Sequence, residues 1–383
     1  MIIASATLDA EKFSHYFNEA PIIYIPGRRY PVDIYYTKAP ESDYVEASVV
    51  TTLQIHLTQD KGDILVFLTG QEEIERAEEM LVNRTRNLGT NIGELLVLPL
   101  YSQLPSDQQA KIFEPTPQFA RKVVLCTNIA ETSLTIDNVV YVVDCGFSKQ
   151  TSYNPKTGIE TLTVTPISKA NSDQRAGRAG RVCPGKCFRL YTLWAFQNEL
   201  NDVLVPEIQR SNLNSIVLQL KCMGVDDLIN FDYLDAPNYE MLVKALNQLH
   251  MLNAINSEGK LTVSGNKMSE FPMDPCLAKC VIESEKYKCI DQMVTIVSLI
   301  SLGGNLFFRP KDKILHADTV RLGFQRPGGD HLSLLNVYNQ WVESNFSDRF
   351  CMDHFIQPKM MKKVRDIREQ IAGICSTVEI GNK

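Results

Sequence analysis

The sequence predicts an α/β domain built on a parallel sheet, followed by a small α-rich module and then a helical bundle. Three observations predict it. From residue 20 to about 195, continuous apolar runs (DILVFL, ELLVLPLY, KVVLCT, VVYVVD) alternate with amphipathic stretches, the pattern of strands buried on both faces between covering helices. From Pro206 to about Gly265 the pattern turns helical through NSIVLQLKCMG and YEMLVKALNQLHMLNAI and closes on LTVSG, a layout that suits a winged-helix module. From Asn266 to about Ile374 it is almost wholly helical, with breaks at Pro272, Pro275, Pro310 and Pro327–Gly329.

The length agrees with several domains, because 383 residues exceed the roughly 250–300 at which one hydrophobic core stops growing. Hydrophobic residues at 44% and charged residues at 22% are ordinary globular usage and exclude a disordered or fibrous chain. A net charge of −6 excludes a protein coated in positive charge, yet a local groove of arginines and backbone N–H groups can still hold nucleic acid. The pairs Cys183/Cys187 and Cys276/Cys280 have CxxxC spacing but no partner set at zinc-finger distance, so thiols of a reducing compartment are expected rather than a metal site. No run approaches the roughly 20 apolar residues of a membrane span, and the N-terminus lacks a signal-peptide layout. A soluble intracellular protein is expected.

Taken in order, MIIASATLDAEKF reads as a buried strand end running into a helix with no strand before it, the opening expected of a chain cut inside a domain. A helix is predicted from Gln71 to about Leu88, and another segment at PSDQQAKIF. Ligands of such sheets sit beyond the carboxyl ends of the strands, which points to the loops after Leu68, Leu125 and Asp144. QTSYNPKTGIETLTVT, Gln150 to Thr165, alternates around a turn-forming NPKTG and predicts a projecting β-hairpin. The polar tail STVEIGNK after Cys375 is expected to pack against nothing.

Four motifs carry chemistry. In QRAGRAGR, Gln174 to Arg181, arginines recur every third residue; on a helix Arg178 and Arg181 would stand on neighbouring turns of one face. Ala176, Gly177, Ala179 and Gly180 would let another surface approach closely. Two planar, permanently charged forks suit the charge developing on a transferred phosphoryl group, and two helix-interior glycines are costly for a merely solvated helix. TNIAETSLTID, Thr127 to Asp137, follows a strand and fits either a loop touching phosphate or ribose or a capped helix start. LTGQEEIE turns from strand to helix at Thr69–Gly70, where a backbone N–H and a hydroxyl could clasp a nucleic-acid phosphate or simply cap the helix. Ser5–Ala6–Thr7 alone reads as an N-cap.

In this order, SAT, LTGQEEIE, TNIAETS and QRAGRAGR resemble the later motifs of superfamily-two helicases of the DEAH type. The resemblance continues through the hairpin, PGKCFRLYT, PEIQRSNL, FPMDPCLAK, FRPKDK and PGGDHLSLLNVY, so it covers essentially the whole chain. IPGRRYPVDIYYTKAP and LPSDQQAKIFEPTP look most like the splicing ATPases, in particular the member acting before the first catalytic step.

The resemblance implies a remnant of a first RecA-like domain at 1–20, a second RecA-like domain at 21–200 with the hairpin at 150–165, a winged helix at 201–265, a ratchet-like helical bundle at 266–375 and a tail at 376–383. It implies an ATP-dependent RNA helicase that remodels RNA–protein complexes in pre-mRNA splicing, in the nucleus, using ATP with magnesium. Arg178 and Arg181 would contact the γ-phosphate and Gln174 the attacking water or phosphate. Thr135 and Asp137 would lie near the nucleotide, and Phe113 would stack on adenine, against its alternative as a core residue. Thr69, Gly70, Thr127 and Asn128 would touch the backbone of single-stranded RNA, and Ser5 and Thr7 would couple ATP state to RNA grip. Spliceosomal proteins and a glycine-patch activator would be partners.

The sequence also departs from the family. It contains no GxxxxGK[ST] phosphate loop and no DEAH box, and the OB-fold expected after the bundle is missing. Gly180–Cys187, GRVCPGKC, matches the spacing but ends in Cys187 where a magnesium-binding hydroxyl is needed. The chain by itself is therefore expected to be inactive, and a non-catalytic RNA- or partner-binding fragment is the rival reading.

Overall fold

The computed structural model describes residues 2–3, 10–25, 30–86, 92–102, 104, 106–132, 134–302, 306–310 and 313–380. They fall into two compact units, Met1–Ser211 and Asn212–Lys383.

The first unit runs α1 (Ala10–Tyr16), β1 (Val32–Tyr36), α2 (Tyr44–Thr58), β2 (Asp63–Phe67), α3 (Gln71–Thr85), β3 (Glu94–Leu100), α4 (Ser106–Ala110), β4 (Ala120–Cys126), α5 (Ile129–Thr132), β5 (Val139–Asp144), β6 (Phe147–Asn154), β7 (Ile159–Pro166), α6 (Lys169–Ala176), β8 (Gly185–Arg189) and α7 (Leu193–Asn198). Six strands form one parallel sheet in the order β1-β8-β5-β2-β4-β3. The apolar runs are continuous because both faces are covered: all five residues of β2 are buried. Ile64, Val66 and Leu68 pack with Val45 and Val49 of α2 and Ile74 and Leu81 of α3. Leu65 and Phe67 point the other way, into a core with Ala130, Ile136, Ala176 and Ala179. Period-two alternation along one strand thus serves two helical layers.

The hairpin is present and slightly longer than the sequence pattern marks, β6 pairing with β7 antiparallel from Phe147↔Pro166 to Asn154↔Ile159. Gly158, at φ +72°, supplies the left-handed residue of its turn. The hairpin is braced toward its turn by Arg210, whose carbonyl accepts from Tyr153 N–H (2.8 Å) and whose guanidinium donates to Thr151 O (3.0 Å).

The second unit begins with α8 (Asn214–Cys222), α9 (Tyr239–Met251) and α10 (Val263–Ser269). Between α9 and α10 the antiparallel bridge Ile255↔Leu261 makes the wing of a winged helix. The ratchet-like bundle follows as α11 (Pro275–Ser284), α12 (Ile290–Ser301), α13 (Ile314–Gly323), α14 (Asp330–Glu343), α15 (Asp348–Asp353) and α16 (Pro358–Thr377). Its core gathers Leu299, Val337, Trp341, Ile356, Met361 and Val364. The tail does pack, contrary to expectation. Helix α16 runs on to Thr377, Ile380 N–H bonds Cys375 O at 2.8 Å, and the Ile380 side chain is buried as the apolar stop after the helix end.

Candidate nucleotide and nucleic-acid site

Strand register sets six carboxyl ends in one row: Tyr36 beside Arg189, Arg189 beside Asp144, Asp144 beside Phe67, Phe67 beside Cys126, and Cys126 beside Leu100. Thr69 and Gly70 follow Phe67, and Thr127 and Asn128 follow Cys126, so the four residues expected at RNA stand over adjacent strand ends. Leu68 N–H to Cys126 O (2.8 Å) and Thr127 N–H to Leu100 O (3.2 Å) fix both loops at their roots.

Asn128 is exposed and Thr127 half-buried, whereas Thr69 and Gly70 are buried. Thr69 N–H donates to Glu73 Oε2 at 3.0 Å, and the Tyr44 phenol donates to Glu73 Oε1 at 2.6 Å. Burial, then the Glu73 carboxylate, push the Tyr44 phenol well above its ordinary pKa, so it stays a donor. The Thr69 hydroxyl lies beside that phenol without hydrogen-bond geometry. Helix α3 therefore satisfies its own entry with a first-turn carboxylate, and a phosphate at the Thr69 main chain would have to displace it.

Gly70 is the N-cap of α3 and has no side-chain bond to offer. A Cβ built there would come within 2.7 Å of Lys149 Nζ, on β6. An ammonium against the N-terminal end of a 15-residue helix opposes the helix dipole, an arrangement that favours an anion between the two. The sequence pattern did not single out Lys149; FSKQ carries no signal beyond a strand.

The arginine motif folds differently from the helix its spacing suggests. Helix α6 stops at Ala176, and Arg178 N–H to Arg175 O and Ala179 N–H to Ala176 O, both 3.1 Å, are tight i→i−3 turns. The cause is tertiary. Tyr30 N–H bonds Gly180 O at 2.9 Å, a Cβ on Gly180 would meet Tyr30 O at 2.6 Å, and Ala179 is buried in the core. A continued helix would lift both residues off these contacts. The surface the small residues admit is thus the lead into β1.

From this turn Arg178, half-buried, donates through Nη1 to Leu134 O at 3.0 Å and through Nη2 to Glu131 O. Arg181, exposed, donates through Nη1 to Thr135 Oγ1 at 2.7 Å. Both guanidiniums reach the one segment between α5 and β5. Gln174 is half-buried on α6, one turn earlier. Arg175, which sequence spacing cannot tell from its neighbours, is fully buried instead, paired with Glu131 and Asp144.

Phe113 ends a 3-10 turn, Lys111–Phe113, that buries Ile112 completely and leaves Phe113 54% exposed, so it is not a core residue. Lys122 steadies the turn by donating to Ile112 O (2.8 Å) and Glu114 O (2.6 Å). Thr135 and Asp137 are exposed, on a segment that returns to the amino edge of the sheet, where Val139 opens β5. Thr135 and Asp137 therefore lie on the way back from the carboxyl row, whereas Gln174 stands between Asp173 and Arg175, which bond the row residues Arg189 and Asp144. Ser5 and Thr7 lie outside the described residues. The phosphate-loop look-alike has Gly185, Lys186 and Cys187 inside β8, with Lys186 Nζ on Gln59 Oε1 at 2.7 Å.

A cleft of about 940 Å³ opens at the amino edge of the sheet between His56, Lys61, Asp63, Phe119 and Arg121 and extends to Asn138, Val182 and Cys183, next in sequence to Asp137 and Arg181. Burial pushes the Cys145 thiol up to about 12 and Cys126 higher still, so both remain neutral beside Arg175. Among the described residues no cluster of three His, Cys, Asp or Glu could hold a metal ion, and no helix is long and apolar enough to cross a membrane.

Residues 47–183 match the helicase conserved C-terminal domain. Residues 245–273 match the winged-helix part of the helicase associated domain and residues 274–334 its ratchet-like part. The chain thus carries a RecA-like helicase C-terminal domain followed by the two helicase-associated domains, the domain order of a DEAH/RHA-type helicase. Helicases of this kind generally hydrolyse ATP with magnesium and bind nucleic acid.

Proposed function

We propose that this chain acts within an ATP-dependent RNA helicase, an RNA-dependent ATPase that remodels RNA–protein complexes in pre-mRNA splicing in the nucleus. Its domains are the second RecA-like domain with hairpin to about residue 200, the winged helix to about 265 and the ratchet-like bundle to about 375. One observation carries the reading: Arg178 and Arg181 bond Glu131, Leu134 and Thr135 in the same β4–β5 connection that opens with Thr127 and Asn128, the latter two preceding the short helix α5 and the bonded residues lying within and after it. Arg178, Arg181 and Gln174 would face the triphosphate, with Thr135, Asp137 and Phe113 toward the nucleoside. A bound magnesium nucleotide supplies the anhydride and its charge neutralisation. Thr69, Gly70, Thr127 and Asn128, joined by Lys149, would hold the phosphates and sugars of single-stranded RNA, while Ser5 and Thr7 couple the two events. Spliceosomal proteins and a glycine-patch activator are the partners that the sequence resemblance supports.

RNA affinity should fall with salt but not depend on base identity, since backbone contacts carry no sequence information. Equal-length homopolymers are expected to bind alike. A preference beyond about tenfold that survives raised salt would mean that bases are read. In a version of the protein bearing a phosphate loop, Arg178→Ala and Arg181→Ala should each lower ATP turnover by about 10³-fold while RNA binding persists; turnover within threefold of the parent refutes the finger roles. The second reading, a non-catalytic RNA- or partner-binding module, is favoured by the lack of any GxxxxGK[ST] in the sequence. Accordingly the chain alone should release no phosphate from ATP above background, with or without RNA. A rate that vanishes in Arg178→Ala would show that residues 1–383 hold a complete ATP site.

A further inference from the structure

We infer that Arg175 is a positioning residue for RNA, fixing Asn128 and Lys149 together from inside the fold. The inference rests on the RNA reading above. Arg175 is wholly buried and lies over the Phe67 ring, 4.8 Å from its centroid. Its Nε donates to Glu131 Oε2 at 3.1 Å, its Nη1 to Asp144 Oδ1 at 2.7 Å, and both Nη atoms to Phe147 O at 3.2 Å.

Two chains of contacts lead outward from this one side chain. Glu131, held through its carboxylate by Arg175 and by Asn171, donates its own N–H to Asn128 O at 3.0 Å. Its carbonyl takes Arg178, so the residue is gripped by side chain and main chain from two arginines of one motif. Phe147, held through its carbonyl, is the first residue of β6, and Lys149 follows two residues later against Gly70. Asp144 closes the frame by accepting from Tyr191 Oη (2.9 Å) and Gly146 N–H (3.0 Å).

A buried ion pair is a weak source of stability, because apolar residues of similar volume often serve as well. What only a guanidinium can do here is bind two carboxylates and a carbonyl at fixed angles. That geometry ties the loop after β4 to the root of the hairpin. The two RNA contacts are then held at one spacing, matched to one backbone.

The test measures binding of the full chain to fluorescein-labelled single-stranded RNA of mixed sequence. Variants are Arg175→Lys, Glu131→Gln and the double change Thr127→Ala/Asn128→Ala, each checked by thermal unfolding. Arg175→Lys and Glu131→Gln should each weaken RNA binding by about tenfold at a temperature where the variant is folded, yet by less than about twofold when the Thr127→Ala/Asn128→Ala change is already present. A purely structural role would give additive losses, or none, and overturns the inference. So does unfolding of both Arg175→Lys and Glu131→Gln, which would make the network a stability element. If the parent chain fails to bind, or the Thr127→Ala/Asn128→Ala change leaves binding intact, the RNA reading itself falls and takes the inference with it.

Discussion

At the scale of single residues, burial separates roles that sequence spacing leaves identical. Arg175, Arg178 and Arg181 recur at one interval, yet the first is sealed in the core, the second lies half-buried against loop carbonyls and the third is exposed. No local pattern announces this, because Glu131 is placed by helix α5 and Asp144 by strand β5. His56 gives a residue-scale test of the same physics. Its Nε2 bonds Gly93 O at 3.0 Å, while burial and then the Arg121 charge depress its pKa below the ordinary value near 6.5. A histidine that is harder to protonate when folded contributes its full stability above pH 6.5 and loses it as pH falls from there through the folded value. The first unit should therefore unfold at lower urea at pH 5 than at pH 7, and His56→Gln, which keeps a donor for Gly93, should narrow that gap. An equal gap in both proteins would remove His56 from the account.

At the scale of elements, β2, β4 and β5 were legible because both faces are buried and the apolar runs are unbroken, β3 by its apolar run alone, and the hairpin because NPKTG punctuates an alternating segment. Strands β1 and β8, VDIYY and GKCFR, carry no such run. The finger turn was not legible. Helical spacing and small residues in QRAGRAGR are compatible with a helix to Arg181, and only the docking of Gly180 on Tyr30 ends it at Ala176. That contact predicts its own sensitivity. In Gly180→Ala the new Cβ meets the Tyr30 carbonyl at 2.6 Å and Val32 Cγ2 at 2.8 Å, and a main-chain atom in the lead to an edge strand cannot swing aside as a flexible side chain would. The expected cost is about 1–3 kcal/mol in urea unfolding of the first unit, with faster amide exchange in residues 177–182. Unchanged stability would mean that β1 yields and that the turn is set by something else.

At the scale of the whole molecule, each unit closes its own core, so the sites argued above should be insulated from damage in the second unit. Among the described residues the two apolar clusters of the sheet are built from residues of Met1–Ser211, while Trp341 packs with Tyr338 and Phe346, within 5.9 and 4.9 Å between ring centroids, among residues of the bundle. Composition could not have revealed this division; it follows from where the apolar periodicity changes from strand runs to helical spacing, near Pro206. Trp341 is fully buried, so Trp341→Ala leaves a large cavity and should destabilise the bundle by about 3–5 kcal/mol. Hydrogen exchange read peptide by peptide decides the point. Amides of α12, α14 and α16 should lose protection in the variant, while those of β2, β4 and β5 keep theirs and RNA affinity stays within about twofold. Loss of protection in the central strands would instead make the 383 residues a single cooperative unit, in which the RNA loop and the finger turn depend on the bundle for their order.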